Sequence, residues 1–191
     1  MNYYYRSIPS AEMSDYEGFY RYIADKLPNH AWIAELGVAN GRGVILMASL
    51  MAKLDKPCTI WAVDNFSYGA DNQRADFETN VSNSGEITIQ TMDMDTLVAS
   101  CRCQDEQFDF VFIDSSHLYE NTKAEIRLWL DKIKPGAVLA GHDYSDNDQV
   151  KKAVDELIPP EALCFSETNN GHGVWWFEKK PGFKLLKYAT R

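Results

Sequence analysis

The sequence predicts an α/β fold: one doubly wound sheet of seven strands, mostly parallel, with an antiparallel hairpin at its C-terminal edge. Three observations lead there. Short, near-continuous apolar runs recur along the 191 residues, as expected of strands covered on both faces. Amphipathic stretches of helical length separate most of them, and right-handed crossovers turn such an alternation into a doubly wound sheet. The last two runs are joined only by SETNNG, which is turn chemistry rather than a helix.

The elements follow in order. Residues 14–27 place Tyr16, Phe19, Tyr20, Ile23 and Leu27 at helical spacing, with Ser14 as N-cap, Glu17 completing a capping box and Pro28 after the end. Strands are expected at 31–36, 58–63, 86–91, 108–113, 137–141, 161–166 and 172–178. Helices are expected at 42–55, 71–82, 94–101, 119–133 and 147–158. Lys134, Pro135 and Gly136 read as a turn before the fifth strand, and Asn170-Gly171 as the turn of the terminal hairpin. No internal repeat, low-complexity tract or linker divides the chain, so residues 1–191 are expected to form a single domain with residues 1–28 as an N-terminal helical extension.

Composition narrows the function. No run approaches the roughly 18 apolar residues of a membrane span, and MNYYYRSIPS lacks a signal-peptide core. A soluble, cytoplasmic protein with no membrane partner is the expectation. Cys58, Cys101, Cys103 and Cys164 form no C-x-x-C pair, which argues for reduced thiols rather than a zinc knuckle. The net charge of −9 comes from 19 basic against 28 acidic residues, and the basic residues are scattered. A nucleic-acid partner is therefore not expected. The tyrosine-rich N-terminus could dock on a second copy, so a homo-oligomer is possible.

Ligands of doubly wound sheets bind beyond the carboxyl ends of the strands, and here nearly every strand end carries an acid. After the first strand comes Glu35-Leu36-Gly37-Val38-Ala39-Asn40-Gly41-Arg42-Gly43. Its glycines allow a tight turn and close approach to a ligand. Ala39 and Arg42 break the dinucleotide pattern G-x-G-x-x-G. Asp64 and Asn65 follow the second strand, where an acid accepts hydrogen bonds from ribose hydroxyls; a helix cap is the alternative. Met92 and Asp93 follow the third, and Asp93 could equally cap the next helix.

Asp114 and His117 end the fourth strand, and His142, Asp143 and Tyr144 the fifth. Adjacent parallel strands lie about 4.8 Å apart, so Asp114 and Asp143 could share one ion. Oxygen donors with open water positions suit Mg²⁺, with Mn²⁺ or Ca²⁺ as alternatives. His117 has the near-neutral pKa of a general base. Tyr119, Tyr144, Trp175 and Trp176 could wall a substrate pocket, with at least one tryptophan expected in the core.

The spacing E-x-G-x-x-x-G-x-G resembles motif I of the class I S-adenosylmethionine (SAM)-dependent methyltransferases, with the departure at Ala39. Residues 108–144, with Asp114, His117 and Tyr119, then Lys134-Pro135-Gly136, then His142-Asp143-Tyr144, resemble the macrocin and mycinamicin sugar O-methyltransferases of that class. The resemblance implies a Rossmann-like fold and a SAM site at Glu35, Gly37, Ala39, Asn40, Gly41, Asp64, Asn65, Met92, Asp93 and Asp114. It implies a metal at Asp114, His142 and Asp143, catalysis by His117 and Asp114, and a small hydroxylated acceptor: a sugar, polyol or phenol. His142 departs from the acid often found at its position. Two other readings are an NAD-dependent oxidoreductase, against which Ala39 and Arg42 count, and a non-catalytic SAM-binding module.

Overall fold

The structure, a computed structural model, describes Ile8 and residues 16–68, 72–82, 87–166 and 171–186. The chain runs α1 (Glu17–Lys26), β1 (Ala31–Leu36), α2 (Arg42–Lys53), β2 (Cys58–Asp64), α3 (Gln73–Val81), β3 (Thr88–Asp93) and α4 (Thr96–Ser100). It continues β4 (Phe108–Ile113), α5 (Tyr119–Leu130), β5 (Ile133–Gly141), α6 (Asp148–Leu157), β6 (Cys164–Ser166) and β7 (Val174–Glu178). The seven strands form one sheet in the order β3-β2-β1-β4-β5-β7-β6. Strands β1 to β5 pair in parallel, whereas β7 runs antiparallel between β5 and β6. The expected doubly wound, mostly parallel sheet with its terminal hairpin is therefore present.

Alternation along each strand divides the core in two. Ile33, Ile60, Phe110 and Phe112 face α1, α2 and α3. Ala34, Leu36, Val63, Val111 and Ile113 face α4, α5 and α6. This double covering is why the strands read as continuous apolar runs. Helix α1 buries Phe19, Tyr20, Ile23 and Ala24, and its rings pack on Phe110 and Phe112. In the hairpin, Trp175 stands opposite Gly141. A Cβ on Gly141 would come 2.5 Å from the Trp175 ring, so the strand end admits the indole because that residue lacks a side chain.

Several boundaries differ from expectation; strand β3 runs Thr88–Asp93 rather than 86–91, so Met92 and Asp93 lie within it and not after it. Lys134-Pro135-Gly136 lies within β5: the β4–β5 register shifts between Phe108 and Phe110, and Gly136, at φ +82, donates its N–H to Lys179 O. The segment is a bulge that the strand resumes after, because β7 supplies backbone partners on its far side. Helix α1 starts at Glu17 with Tyr16 as N-cap; Glu17 pairs with Arg21, and Ser14 lies outside the described residues, as do Asn170 and Glu86. Strand β6 keeps only Cys164–Ser166 of the expected run. Among the described residues no helix is long and apolar enough to cross a membrane.

Candidate active site

The chain reverses its direction of winding between β1 and β4, the crevice where doubly wound sheets take their ligands. Both neighbours of that crevice end in groups singled out above. Gly37, at φ +80, passes so close to β4 that a Cβ would sit 2.1 Å from Asp114 O and 2.5 Å from Ser115 Cα. The glycine is needed for contact with the protein itself. Gly43 behaves alike, with Glu35 Oε1 2.3 Å from where its Cβ would be. Ala39 takes φ +46, a left-handed conformation usually left to glycine, and as a small residue it fits the loop there.

Asp64 holds this loop. Its Oδ2 accepts from Val38 N at 2.9 Å and Ala39 N at 3.0 Å, and its Oδ1 accepts from Phe66 N at 2.7 Å. Three of the carboxylate's roughly four acceptor positions are thereby used. Asn65 Oδ1 accepts from Ser67 N and Ser67 Oγ, and Asn40 O accepts from Asn80 Nδ2. Met92 is in the core beside α4. Asp93 pairs with Arg74 of α3 and leaves the capping of α4 to Asp95, whose side chain accepts from Leu97 N and Val98 N.

Glu35 is buried on the α1–α2 face of β1, where Tyr20 Oη donates to its Oε2 at 3.0 Å. Burial pushes its carboxyl up to about 8 against the pull of that hydrogen bond, with the charges of Asp114 and Asp64 raising it further. Glu35 is therefore a neutral acid over much of the acidic and neutral range.

The ends of β4 and β5 carry the densest set of ionisable groups. His142 N donates to Ile113 O, which places His142, rather than Asp143, level with Asp114. Asp143 lies one residue further and returns to the rim through a left-handed turn at φ +61, uncommon for a non-glycine residue and frequent at functional sites. His117 Nε2 then lies 2.7 Å from Asp143 Oδ2 and 3.7 Å from Asp114 Oδ1. His142 Nδ1 lies 3.3 Å from Asp143 Oδ1 and 3.7 Å from Asp114 Oδ1. Hydrogen bonding to Asp114 and Asp143 raises the His117 imidazole to about 10, against the effect of burial. Burial pushes Asp143 up, but the bonds to His117 and His142 outweigh it and hold the carboxyl well below its usual range.

The ligating atoms of Asp114, His117 and Asp143 lie within 4.8 Å of one another. Donors placed about 2.0–2.6 Å from one ion span that range, so this set fits a divalent cation. His117 completes this grouping, whereas the sequence reading had put His142 in the metal set; His142 is buried beside it and meets both aspartates.

Two further residues escaped the sequence reading. Glu125 of α5 is buried beneath the rim; its Oε1 accepts from Ser115 Oγ and Thr96 Oγ1, and its Oε2 has no partner among the described residues. Burial raises its carboxyl to about 7. His172 precedes β7 and lies beside Asp146 and Asp143. Its only sequence signal is a histidine next to a strand, which many proteins share. Conversely, Tyr119 is tied to Glu156 and Tyr144 to Asp155 of α6. Trp175 is fully buried and Trp176 packs on Phe19 and Tyr22 of α1. The tyrosine hydroxyls are thus engaged by α6, Trp176 packs against α1, and Trp175 is the tryptophan that the core takes.

The family model described as a methyltransferase domain matches residues 34–144, the stretch from β1 to the end of β5 that carries these groups. No curated protein sequence matches the chain. The fold is similar to that of an O-methyltransferase from Bacillus cereus in complex with SAH, with TM-score 0.60 and 18% identity over 92% of this chain and 86% of that one. It is also similar to a SAM-dependent O-methyltransferase from Thermotoga maritima, with TM-score 0.62 and 13% identity over 90% and 67%. An rRNA methylase from Streptococcus thermophilus gives TM-score 0.65 and 15% identity over 90% and 99%. At these identities the likeness is one of fold.

Proposed function

The chain belongs to the methyltransferase-domain family, and on that premise we propose that it is a SAM-dependent O-methyltransferase acting on a hydroxyl of a small molecule, assisted by a divalent cation such as Mg²⁺. The observation that carries the reading is the convergence of Asp114, His117 and Asp143 on the rim beside the β1/β4 crevice. The donor is assigned to that crevice, along the loop that Asp64 braces, with Glu35 beneath it. The neighbours crystallised with SAH or known as SAM-dependent support this choice of donor.

The acceptor hydroxyl is assigned to the Asp114–Asp143 side of the rim. A cation bound there would lower the pKa of the hydroxyl and orient it. Asp114 and Asp143 supply the negative charge that holds the acceptor end of the site. With both carboxylates uncompensated, His117 keeps its proton at neutral pH and cannot take another. A cation held by Asp114 and Asp143, with His117 outside its ligand set, would return the imidazole toward its ordinary range and leave Nε2 to accept the hydroxyl proton as attack on the methyl group proceeds.

A small acceptor is favoured over RNA by the net charge of −9 and the scattered basic residues, although some structural neighbours are described as rRNA methylases. The test is methyl transfer from labelled SAM to a panel of sugars, polyols and phenols, with RNA as a parallel arm and Mg²⁺ or chelator added. Transfer to a small hydroxyl that falls with chelator and with Asp114→Asn supports the reading. Failure of SAM to bind at millimolar concentration, or transfer to RNA alone, overturns it.

A further inference from the structure

We infer that the same rim holds a second cation position, formed by Asp143, Asp146 and His172, which suits a transition-type divalent ion such as Mn²⁺ or Zn²⁺. The ligating atoms of these three residues all lie within 4.8 Å of one another. His172 Nδ1 faces both Asp146 Oδ2 and, at 3.7 Å, Asp143 Oδ1. An imidazole nitrogen with two carboxylates is a borderline donor set that Mn²⁺ and Zn²⁺ both accept.

Asp143 turns its two oxygens in different directions. Oδ2 faces His117 at 2.7 Å, and Oδ1 faces His142 and His172. One carboxylate thus serves two neighbouring groups, each with a histidine and a second aspartate, as in carboxylate-bridged pairs of ions about 3.5–4 Å apart.

The donors are also fixed by backbone. Ser145 N donates to His172 O at 2.8 Å, Tyr144 N to Gly173 O at 3.3 Å, and Asn147 N to Asp143 O at 3.1 Å. Gly173 lies so near that a Cβ would come 2.2 Å from Ser145 Oγ. The turn after β5 and the segment before β7 are therefore locked together, bringing His172 to Asp143 and Asp146 by construction. An ion there would fasten the terminal hairpin to the end of β5.

The inference rests on the proposed Asp114–His117–Asp143 site only through the shared Asp143, and the two can be separated. The experiment counts Mn²⁺ bound per full-length chain by equilibrium dialysis and electron paramagnetic resonance, using MnCl₂ alone. Wild type is expected to bind two ions. His172→Ala and Asp146→Asn, at partly exposed positions that leave the core intact, are each expected to bind one. Asp114→Asn is also expected to bind one, the other ion.

Unchanged stoichiometry in both His172→Ala and Asp146→Asn overturns the inference. So does a single wild-type ion lost in Asp114→Asn and kept in His172→Ala, which leaves the neighbouring site standing. A single ion lost in His172→Ala and kept in Asp114→Asn upholds the inference and removes the neighbouring site. No bound ion in wild type overturns both.

Discussion

His117 Nε2 lies 2.7 Å from Asp143 Oδ2 although the two residues leave different strands. The contact depends on two local events: a short turn after β4, and the left-handed Asp143 that folds the end of β5 back toward it. It turns two strand ends into one charged unit.

That unit predicts a pH-dependent stability. His117 titrates near 10 in the fold against an ordinary 6.5, so its contribution is complete below pH 6.5 and vanishes as pH rises through 10. The side chain is about half exposed, which reduces the gain to about 1 kcal/mol, or roughly 2–4 °C of Tm. His117→Ala should melt below wild type by that margin at pH 6 and match it at pH 11 by scanning calorimetry. An equal difference at both pH values would contradict the account.

Glu35 predicts the opposite preference for its variant. Its folded pKa of about 8 lies above the ordinary 4.5, so wild type loses stability as pH rises from 4.5 through 8. Glu35→Gln keeps an acceptor for Tyr20 and avoids burying a charge. It should exceed wild type by several degrees at pH 9, on the order of 3 kcal/mol, and differ little at pH 4. Urea midpoints at the two pH values decide the matter.

Gly37→Ala should be among the most damaging single changes. The new methyl would lie 2.1 Å from a backbone oxygen of Asp114, at a φ of +80. Main chain cannot yield as a side-chain tip can, so a loss of more than about 3 kcal/mol is expected. Displaced Asp114 should also weaken Mn²⁺ binding in whatever fraction folds. A variant with the wild-type urea midpoint would refute the close approach.

Asp64→Ala removes the acceptor for three backbone N–H groups. The expected cost is about 2–3 kcal/mol, with SAM affinity reduced at least about tenfold as the loop loosens. Calorimetric titration with SAM reads the second effect. Unaltered affinity would detach Asp64 from the donor site.

Much of this was legible in the chain because it follows from local rules. Val111 and Ile113 read as strand since both faces of β4 are covered, and Asp114 read as a rim residue since it follows such a strand. The structure brings ligating atoms of Asp114, His117 and Asp143 within 4.8 Å of one another, whereas the sequence groups the two aspartates with His142. What local rules miss is set by the packing of distant pieces. Nothing local to Glu35 announces that Tyr20 of α1 bonds its buried carboxyl. The bonding of Tyr144 to α6 and the packing of Trp176 on α1 are likewise set by distant pieces of the chain. Lys134-Pro135-Gly136 has every mark of a turn, and only the presence of β7 alongside makes it a bulge inside a strand. His172 reaches the rim for the same reason, since the strand that follows it lies between two others.

That placement of β7 governs how the molecule can be assembled. Strand β7, which follows β1 to β6 in the chain, sits inside the sheet, so during synthesis β5 must wait with one row of amides and carbonyls unmatched until residues 174–178 have emerged. An unmatched strand is a template for pairing with other chains. Nascent or clipped forms ending before residue 174 should therefore self-associate, and the yield of intact protein should depend on how quickly the hairpin arrives to close that seam.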